Sequence, residues 1–167
     1  LEFCDHHVGR LIENLEKLGI ADNTLIYYII GDNGASAEGG VNGCFNEMSY
    51  FNGLQAMETA EYLTERLDKL GGTESYNHYA VGWAHAMNTP YQWTKQVASH
   101  WGGTRNGTIV HWPKGIKAKG EQRSQFSHVI DVAPTILEAA GIPEPLSVDG
   151  IQQDPIDGVS MLQTFND

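Results

Sequence analysis

The sequence predicts an α/β fold in which a mostly parallel central sheet is flanked by helices. An amphipathic helical pattern leads through a short turn into a continuous apolar run, Leu25–Ile30. Because this run is rich in β-branched and aromatic residues and is apolar on both faces, it suits a central strand that helices cover on both sides. The 167 residues are enough for one domain with a hydrophobic core.

The helix before this strand is the clearest element of the N-terminal part. Apolar residues recur there at helical spacing from Val8 to Leu18, and Gly19 provides a stop signal. A second, mostly helical segment is predicted for residues 48–70, where Gly71 and Gly72 end the apolar pattern. Residues 73–100 are rich in aromatic side chains but poorly periodic, so we expect an irregular, partly buried segment.

The C-terminal part predicts one more strand and one more helix. The strand is expected at residues 108–112, TIVHW, where Pro113 ends it. The helix is expected at residues 132–140 with Asp131 as its N-cap, because Pro134 falls in the first turn and Gly141 follows the last residue. The segment after residue 142 is rich in Pro, Asp and Gln and is expected to lie over the surface.

Composition and charge exclude several classes of function. The chain has 10 Lys and Arg against 21 Asp and Glu, a formal net charge of −11. This balance argues against nucleic-acid binding, which needs clustered basic residues, but it is compatible with a divalent cation. No apolar run is long enough to span a membrane. Two cysteines, Cys4 and Cys44, are too few for a disulfide scaffold, and the sequence leaves open whether they pair.

Asp32 and Asn33 follow the first strand directly and are the strongest metal-binding candidates. Ligands in open α/β sheets bind outside the carboxyl ends of the strands. A carboxylate beside a carboxamide offers hard oxygen donors, which suit Ca²⁺ or Mg²⁺ better than a soft metal. The alternative is a simple Asp-Asn-Gly turn, since these residues tolerate left-handed backbone conformations. On the dipeptide alone, the turn is the commoner explanation.

A second candidate segment, TPYQWTKQVASHWGGTRN, runs from Thr89 to Asn106. It contains Lys95, whose ammonium group is a compact charge that can meet a tetrahedral oxyanion. It also contains His100, which is a candidate for lining a substrate pocket beside the pair Gly102 and Gly103. Taken alone, a lysine in such a segment is more often a solvated surface residue.

Together these two segments identify a protein family far more specifically than either segment does alone. The motifs DNTLIYYIIGDNGAS, KQVASHWGGTRN, IVHWP, HVIDVAPTILEAAGI and DGVSM occur in the order and spacing seen in sulfatases. The chain resembles the large bacterial arylsulfatases of this family, which belongs to the alkaline-phosphatase-like superfamily, and the resemblance covers essentially all 167 residues. It implies that residues 1–167 are an internal or C-terminal portion of a sulfatase catalytic domain.

The resemblance also implies roles for individual residues. Asp32 and Asn33 match a pair of metal ligands that hold Ca²⁺, or sometimes Mg²⁺, under the sulfate group. Lys95 matches a lysine that contacts a sulfate oxygen and stabilises the leaving group. A cation and an ammonium group would both disperse the negative charge that develops during sulfate-ester hydrolysis. The expected substrate is a small-molecule sulfate ester.

The chain departs from the family pattern at the nucleophile. Sulfatases use a formylglycine made from Cys or Ser in a C/S-x-P/A-x-R motif, and neither Cys4 nor Cys44 begins such a motif. A first Asp-Asp ligand pair and the Lys and His that flank the nucleophile also have no match. We therefore expect half of an active site and no turnover by the isolated chain. A sheet without its preceding strands would have an unpaired edge, which favours self-association.

Two alternatives to a sulfuric-ester hydrolase remain at this point. One is a phosphate-ester hydrolase of the same superfamily, and the other is a non-catalytic metal-binding domain. The segment KQVASHWGGTR favours the sulfatase over the phosphatase. The missing nucleophile motif is the feature that keeps the non-catalytic alternative open.

Overall fold

A computed structural model describes residues 2–31 and 33–166 of the chain as a mixed α/β structure. Asp32 lies outside the described residues. The helices and strands, in chain order, are α1 (Glu2–Lys17), β1 (Ile26–Ile30), α2 (Glu47–Phe51), α3 (Ala60–Thr64), α4 (Val81–Met87), β2 (Gly107–His111), α5 (Val132–Ala140), β3 (Ser147–Val148) and β4 (Ile151–Gln152).

Four of the predicted elements are present close to their expected positions. Helix α1 and helix α5 form where the helical periodicity places them, and Gly141 ends α5 in a left-handed conformation with φ +66°. Strands β1 and β2 each lie within one residue of the predicted bounds. These elements are the ones whose apolar period and end signals agree with each other.

The prediction of one long helix over residues 48–70 is wrong. The segment contains two five-residue helices, α2 and α3, and short 3₁₀ turns. Gly53 adopts φ +71° just after α2, which an α-helix cannot accommodate, and Thr59 begins a new helix by accepting a hydrogen bond from the Tyr62 amide. The neighbouring prediction also needs correction, because the segment 73–100 contains the helix α4.

The predicted parallel central sheet is not confirmed. Among the described residues, β1 pairs with β2 and β3 pairs with β4, each in a two-stranded sheet. The β3–β4 pair is antiparallel. The amide of Lys114, just after β2, donates to the carbonyl of Asp22, just before β1, so this pair also runs antiparallel. An apolar run predicts that a strand is suited to burial, but it does not specify the direction of its neighbours.

The chain divides into two compact units by its internal contacts. One unit comprises Leu1–Tyr28 with Ile109–Asp167, and the other comprises Ile29–Thr108. In the part of the chain that the structure describes, no helix has the length and apolar character needed to cross a bilayer.

In the first unit, the C-terminal segment is fastened to the start of α5. The Asp131 carboxylate accepts hydrogen bonds from the amides of His128 and Val159, at 2.8 and 2.9 Å. The fully buried Thr135 hydroxyl donates to the Asp131 carbonyl and accepts from the Met161 amide at 2.8 Å. Asp131 was predicted to cap α5, but its side chain caps the preceding 3₁₀ turn and the DGVSM segment instead.

Large apolar side chains are strongly exposed in the described structure. Phe126 is 95% exposed, Leu146 85% and Val41 80%, whereas the buried apolar residues are few, namely Cys44, Phe45, Ala84 and Phe165. Strand β1 is also only partly covered, and Ile30 is 52% exposed. Apolar surface of this extent usually faces another part of the same protein or a partner.

Candidate functional site

The loop that follows β1 is held in place by side chains from distant parts of the second unit. The Gly34 amide donates to Asn106 Oδ1 at 2.9 Å, and the Ala35 amide donates to Asn88 Oδ1 at 3.1 Å. The Ser36 amide donates to the Tyr79 hydroxyl oxygen at 3.1 Å. Three successive backbone donors are therefore satisfied by side chains, which fixes the path of the chain directly after Asn33.

Two glycines allow this loop and the segment of Lys95 to pack backbone against backbone. Gly34 has φ +86°, and a Cβ atom there would lie 2.0 Å from the carbonyl oxygen of Gly102. A Cβ atom on Gly102 would lie 2.0 Å from the carbonyl oxygen of Trp93. Real Cβ contacts are never this short, so the DNG and WGG motifs require glycine at these positions because of close approach.

Lys95 is anchored to the same loop at both its backbone and its side chain. Its amide donates to the Ala35 carbonyl at 3.0 Å. Its ammonium nitrogen lies 3.0 Å from Glu38 Oε1, although the two residues are 57 positions apart in the sequence. Both side chains are partly buried, 33% exposed for Lys95 and 24% for Glu38. A pair of this kind is less screened by water than a surface ion pair.

Glu38 is the centre of a small charged cluster. The hydrogen bond from Lys95 holds the pKa of the Glu38 carboxyl below its usual value, so the carboxylate is ionised at neutral pH. The side-chain nitrogen of Gln96, Nε2, lies 3.4 Å from the same oxygen, Oε1. The second oxygen, Oε2, is buried and has no hydrogen-bond partner among residues 2–31 and 33–166.

His78 approaches this second oxygen from another segment. Its Nε2 atom lies 3.7 Å from Glu38 Oε2 and 3.0 Å from the Ser36 hydroxyl. The backbone of His78 is fixed by two hydrogen bonds with Cys44, which form an isolated antiparallel bridge. Glu38 is therefore surrounded by Lys95, Gln96 and His78. The backbones of Lys95 and His78 are themselves hydrogen-bonded.

Of the two predicted metal ligands, the structure describes only Asn33. Asn33 is exposed and lies in the bend just after the C-terminal end of β1, as the sequence predicts. Asp32 lies outside the described residues, so the pairing of the two side chains stays a prediction. No group of three or more His, Cys, Asp or Glu side chains that could hold a metal occurs among the residues that the structure describes.

The donor chemistry nevertheless fits a hard cation. Asn33 supplies an amide oxygen at an exposed bend, and the sequence places a carboxylate beside it. Ca²⁺ takes six to eight oxygen ligands, and Mg²⁺ takes about six. Two donors cannot complete either coordination sphere, so a metal held here would need further oxygen ligands.

The structure places His100 in a different local environment from Lys95. The His100 ring bonds to the Ser99 hydroxyl at 2.9 Å and packs against Trp93 at a centroid distance of 5.7 Å. It lines an open cleft of about 510 Å³ together with Pro90, Tyr91, Gln92, Ser99 and Trp101. Lys95 is not among the residues lining this cleft. A substrate contact for His100 stays a prediction.

Neither cysteine provides a candidate nucleophile. Cys4 is exposed on α1, and Cys44 is buried in the bridge with His78. Burial raises the pKa of the Cys44 thiol, which keeps it protonated and unreactive at neutral pH. The question of pairing that the sequence leaves open is answered, because both cysteines are free.

Sequence reasoning missed the residues that organise this loop. Glu38, His78, Asn88 and Asn106 are not among the site residues that the sequence predicts. A signal for Glu38 was available, since it is the one charged residue in positions 33–46 and stands among small residues. The asparagines carried no comparable signal, because their partners are distant backbone amides.

Comparisons with known proteins agree with the motifs. The family model described as Sulfatase matches residues 1–142. A Schizosaccharomyces pombe protein described as an uncharacterized sulfatase is 32% identical over 145 residues, covering 87% of this chain and 24% of the relative. The arylsulfatase of Klebsiella aerogenes is 30% identical over 157 residues, covering 94% of this chain and 31% of the relative.

A more distant relative is also named as a sulfatase. The steryl-sulfatase of Rattus norvegicus is 28% identical over 159 residues, covering 93% of this chain and 20% of the relative. In each of these comparisons the chain spans a third or less of the relative's length.

Proposed function

Because the chain belongs to the sulfatase family, we propose that it forms part of the catalytic domain of a sulfuric-ester hydrolase and contributes half of its sulfate and metal site. The short coverage of the relatives supports a partial domain. The exposed apolar side chains, such as Phe126 and Leu146, support it too, since the rest of a catalytic domain would cover them.

The observation that carries this proposal is the anchoring of Lys95 to the loop after β1. The motif containing Lys95 and the motif containing Asn33 are far apart in sequence, yet the Lys95 amide bonds to Ala35, two residues after Asn33. In the proposed site, the Lys95 ammonium meets a sulfate oxygen and stabilises the charge on the departing oxygen. An ammonium group has three donors, and one of them already serves Glu38.

Asp32 and Asn33 are proposed to hold the cation of the site, which we take to be Ca²⁺, with Mg²⁺ as the alternative. When bound, such a cation supplies Lewis-acid stabilisation of negative charge on the sulfuryl oxygens. The residues of this chain position the sulfate group and stabilise charge. The covalent nucleophile of the proposed reaction comes from residues outside 1–167, because no motif in the chain matches it.

The choice between sulfate and phosphate esters is tested with matched substrates. The full-length protein is assayed with 4-nitrophenyl sulfate and 4-nitrophenyl phosphate, with and without added Ca²⁺. We expect metal-dependent turnover that strongly favours the sulfate. The Asp32→Ala variant is expected to lose that turnover, while Asp68→Ala, an exposed aspartate in the same unit, is expected to retain it. A preference for the phosphate ester would replace the proposal by the phosphatase alternative.

The non-catalytic alternative predicts a different result in the same experiment. A binding domain would turn over neither ester, with or without Ca²⁺. Turnover that survives in the Asp32→Ala variant would also contradict the proposed site, because the reaction would not depend on the predicted ligand.

A further inference from the structure

The geometry around Lys95 points to Glu38 as a positioning residue that holds the Lys95 ammonium in the orientation needed for the sulfate group. This inference rests on the proposed function, since it assigns Glu38 a task only if Lys95 acts on substrate. Glu38 does not itself contact the reacting atoms in this account.

Lys95 is held both at its backbone and at its ammonium group. A lysine ammonium sits on a four-carbon stem with many rotamers, so an unsupported Lys95 would sample many positions. Backbone anchoring through Ala35 fixes only the start of the side chain. The carboxylate of Glu38, 3.0 Å from the ammonium, fixes its end. A charged group that is preorganised before substrate binds stabilises the transition state without having to reorganise.

The loop segment that carries Glu38 is itself held in place. A Cβ atom on the neighbouring Gly39 would lie 2.1 Å from the Tyr79 carbonyl oxygen, so only glycine fits at this position. The amide of Val81 donates to the Gly40 carbonyl at 2.8 Å. This segment of the loop therefore packs closely against residues 78–81. The packing restricts the positions that the backbone of Glu38 can adopt.

The two carboxylate oxygens of Glu38 face different neighbours. Glu38 Oε1 receives Lys95 and lies near the Gln96 amide, whereas Oε2 is buried on the side of His78. The carboxylate thus has Lys95 at one oxygen and His78 at the other. The carboxylate holds the ammonium of Lys95 through Oε1.

The test is a double-mutant cycle in the full-length protein with 4-nitrophenyl sulfate as substrate. The four proteins are the unaltered enzyme, Glu38→Gln, Lys95→Ala and the double variant. Glutamine keeps the shape of the side chain but removes its charge. We expect Glu38→Gln to lower kcat about 10- to 100-fold, the scale of a misplaced reacting or stabilising group, with a smaller effect on KM.

The cycle separates positioning from a general structural role. If Glu38 acts through Lys95, then adding Glu38→Gln to Lys95→Ala changes kcat less than about twofold, because the group that Glu38 positions is already gone. Glu38→Asp keeps the charge on a shorter stem and should retain more activity than Glu38→Gln. The melting temperature of each variant is measured alongside, so that loss of folding is seen directly.

Glu74→Gln is the matched control. Glu74 forms an ion pair with Lys69 in the same unit, and both side chains are more than half exposed. Its removal should leave kcat and KM unchanged.

Each other outcome overturns a defined part of the account. A Glu38→Gln variant with unchanged kcat, or one that lowers kcat equally with and without Lys95, overturns the positioning role while leaving the proposed function intact. A Lys95→Ala variant with full activity, or an unaltered protein without sulfatase activity, overturns both. The two failures are therefore distinguishable.

Discussion

At the scale of single residues, the loop after β1 shows which parts of the candidate site can be predicted from a sequence. Asp32, Asn33 and Lys95 were predicted because their residue types and motifs match a known chemistry. Glu38 and Asn106 were not, because each acts on a partner more than 50 positions away. A contact between distant segments depends on the fold and leaves no periodic pattern in the sequence.

The glycine of the DNG motif gives the sharpest prediction at this scale. Gly34→Ala should lower the free energy of unfolding by about 2–4 kcal/mol, since it combines a left-handed backbone with a clash against Gly102. Urea unfolding of the full-length protein measures this change. Sulfatase turnover should also fall, because Gly34 lies between Asn33 and the backbone anchor of Lys95.

Gly9→Ala is the control for that substitution. Gly9 lies within α1, and a Cβ atom there would meet nothing within 4 Å. Alanine should therefore raise the free energy of unfolding by about 0.5–1 kcal/mol, since it restricts the unfolded chain without a clash. Equal effects of the two substitutions would contradict the close approach of Gly34 to Gly102.

At the scale of elements, the sequence was reliable where period and end signals agree. The helix α5 was predicted from Pro134 in its first turn and Gly141 after its last residue, and it forms there. The segment 48–70 failed because a rough apolar stripe continues through it while local signals, Gly53 and Thr59, interrupt the backbone. Local turn and capping residues such as these can end a helix even where the spacing of apolar residues continues.

The link between α5 and the DGVSM segment predicts a pH-dependent contribution to stability. Hydrogen bonds from the Val159 and His128 amides hold the pKa of Asp131 below its usual value of 3.8. A carboxyl whose pKa is lowered in the folded state contributes its full stabilisation at pH values above its pKa in the unfolded state. That contribution is lost as the pH falls through the lower, folded value.

Asp131→Asn should therefore lower the free energy of unfolding by about 1 kcal/mol at pH 7, since a partly exposed carboxylate loses its charge-assisted bonds but one acceptor remains. The difference from the unaltered protein should shrink as the pH falls below 3.8. Urea unfolding at several pH values measures it. Asp154→Asn, an exposed position, is the control, and a difference that grows in acid would contradict the role of Asp131.

At the scale of the whole molecule, the mixed α/β character was predicted correctly, but the parallel sheet was not confirmed. Strand β1 carries the apolar pattern of a covered strand, yet within residues 2–31 and 33–166 it pairs with β2 alone, and Ile30 is 52% exposed. Sequence pattern reports what a strand is suited to contact. It does not identify the residues that make that contact. In the proposed partial domain, those residues lie outside residues 1–167.

The proposed partial domain predicts that residues 1–167 do not turn over sulfate esters by themselves. In the proposed site the chain positions a sulfate group, but Cys4 and Cys44 do not begin a nucleophile motif. The isolated chain is incubated with 4-nitrophenyl sulfate and Ca²⁺ beside the full-length protein, and we expect no release of nitrophenol above background. Metal-dependent release that Asp32→Ala abolishes would mean that the chain contains its own nucleophile.

The central claim is that Lys95 stabilises charge on a sulfate ester, and the turnover number of Lys95→Ala tests it most directly. In the full-length protein with 4-nitrophenyl sulfate, we expect kcat to fall by about 10²–10³, the scale of losing one preorganised electrostatic contact. Lys69→Ala, which removes a half-exposed lysine of the same unit, should leave kcat unchanged. A Lys95→Ala enzyme with the turnover of the unaltered protein would make Lys95 a structural partner of Glu38 and contradict the account.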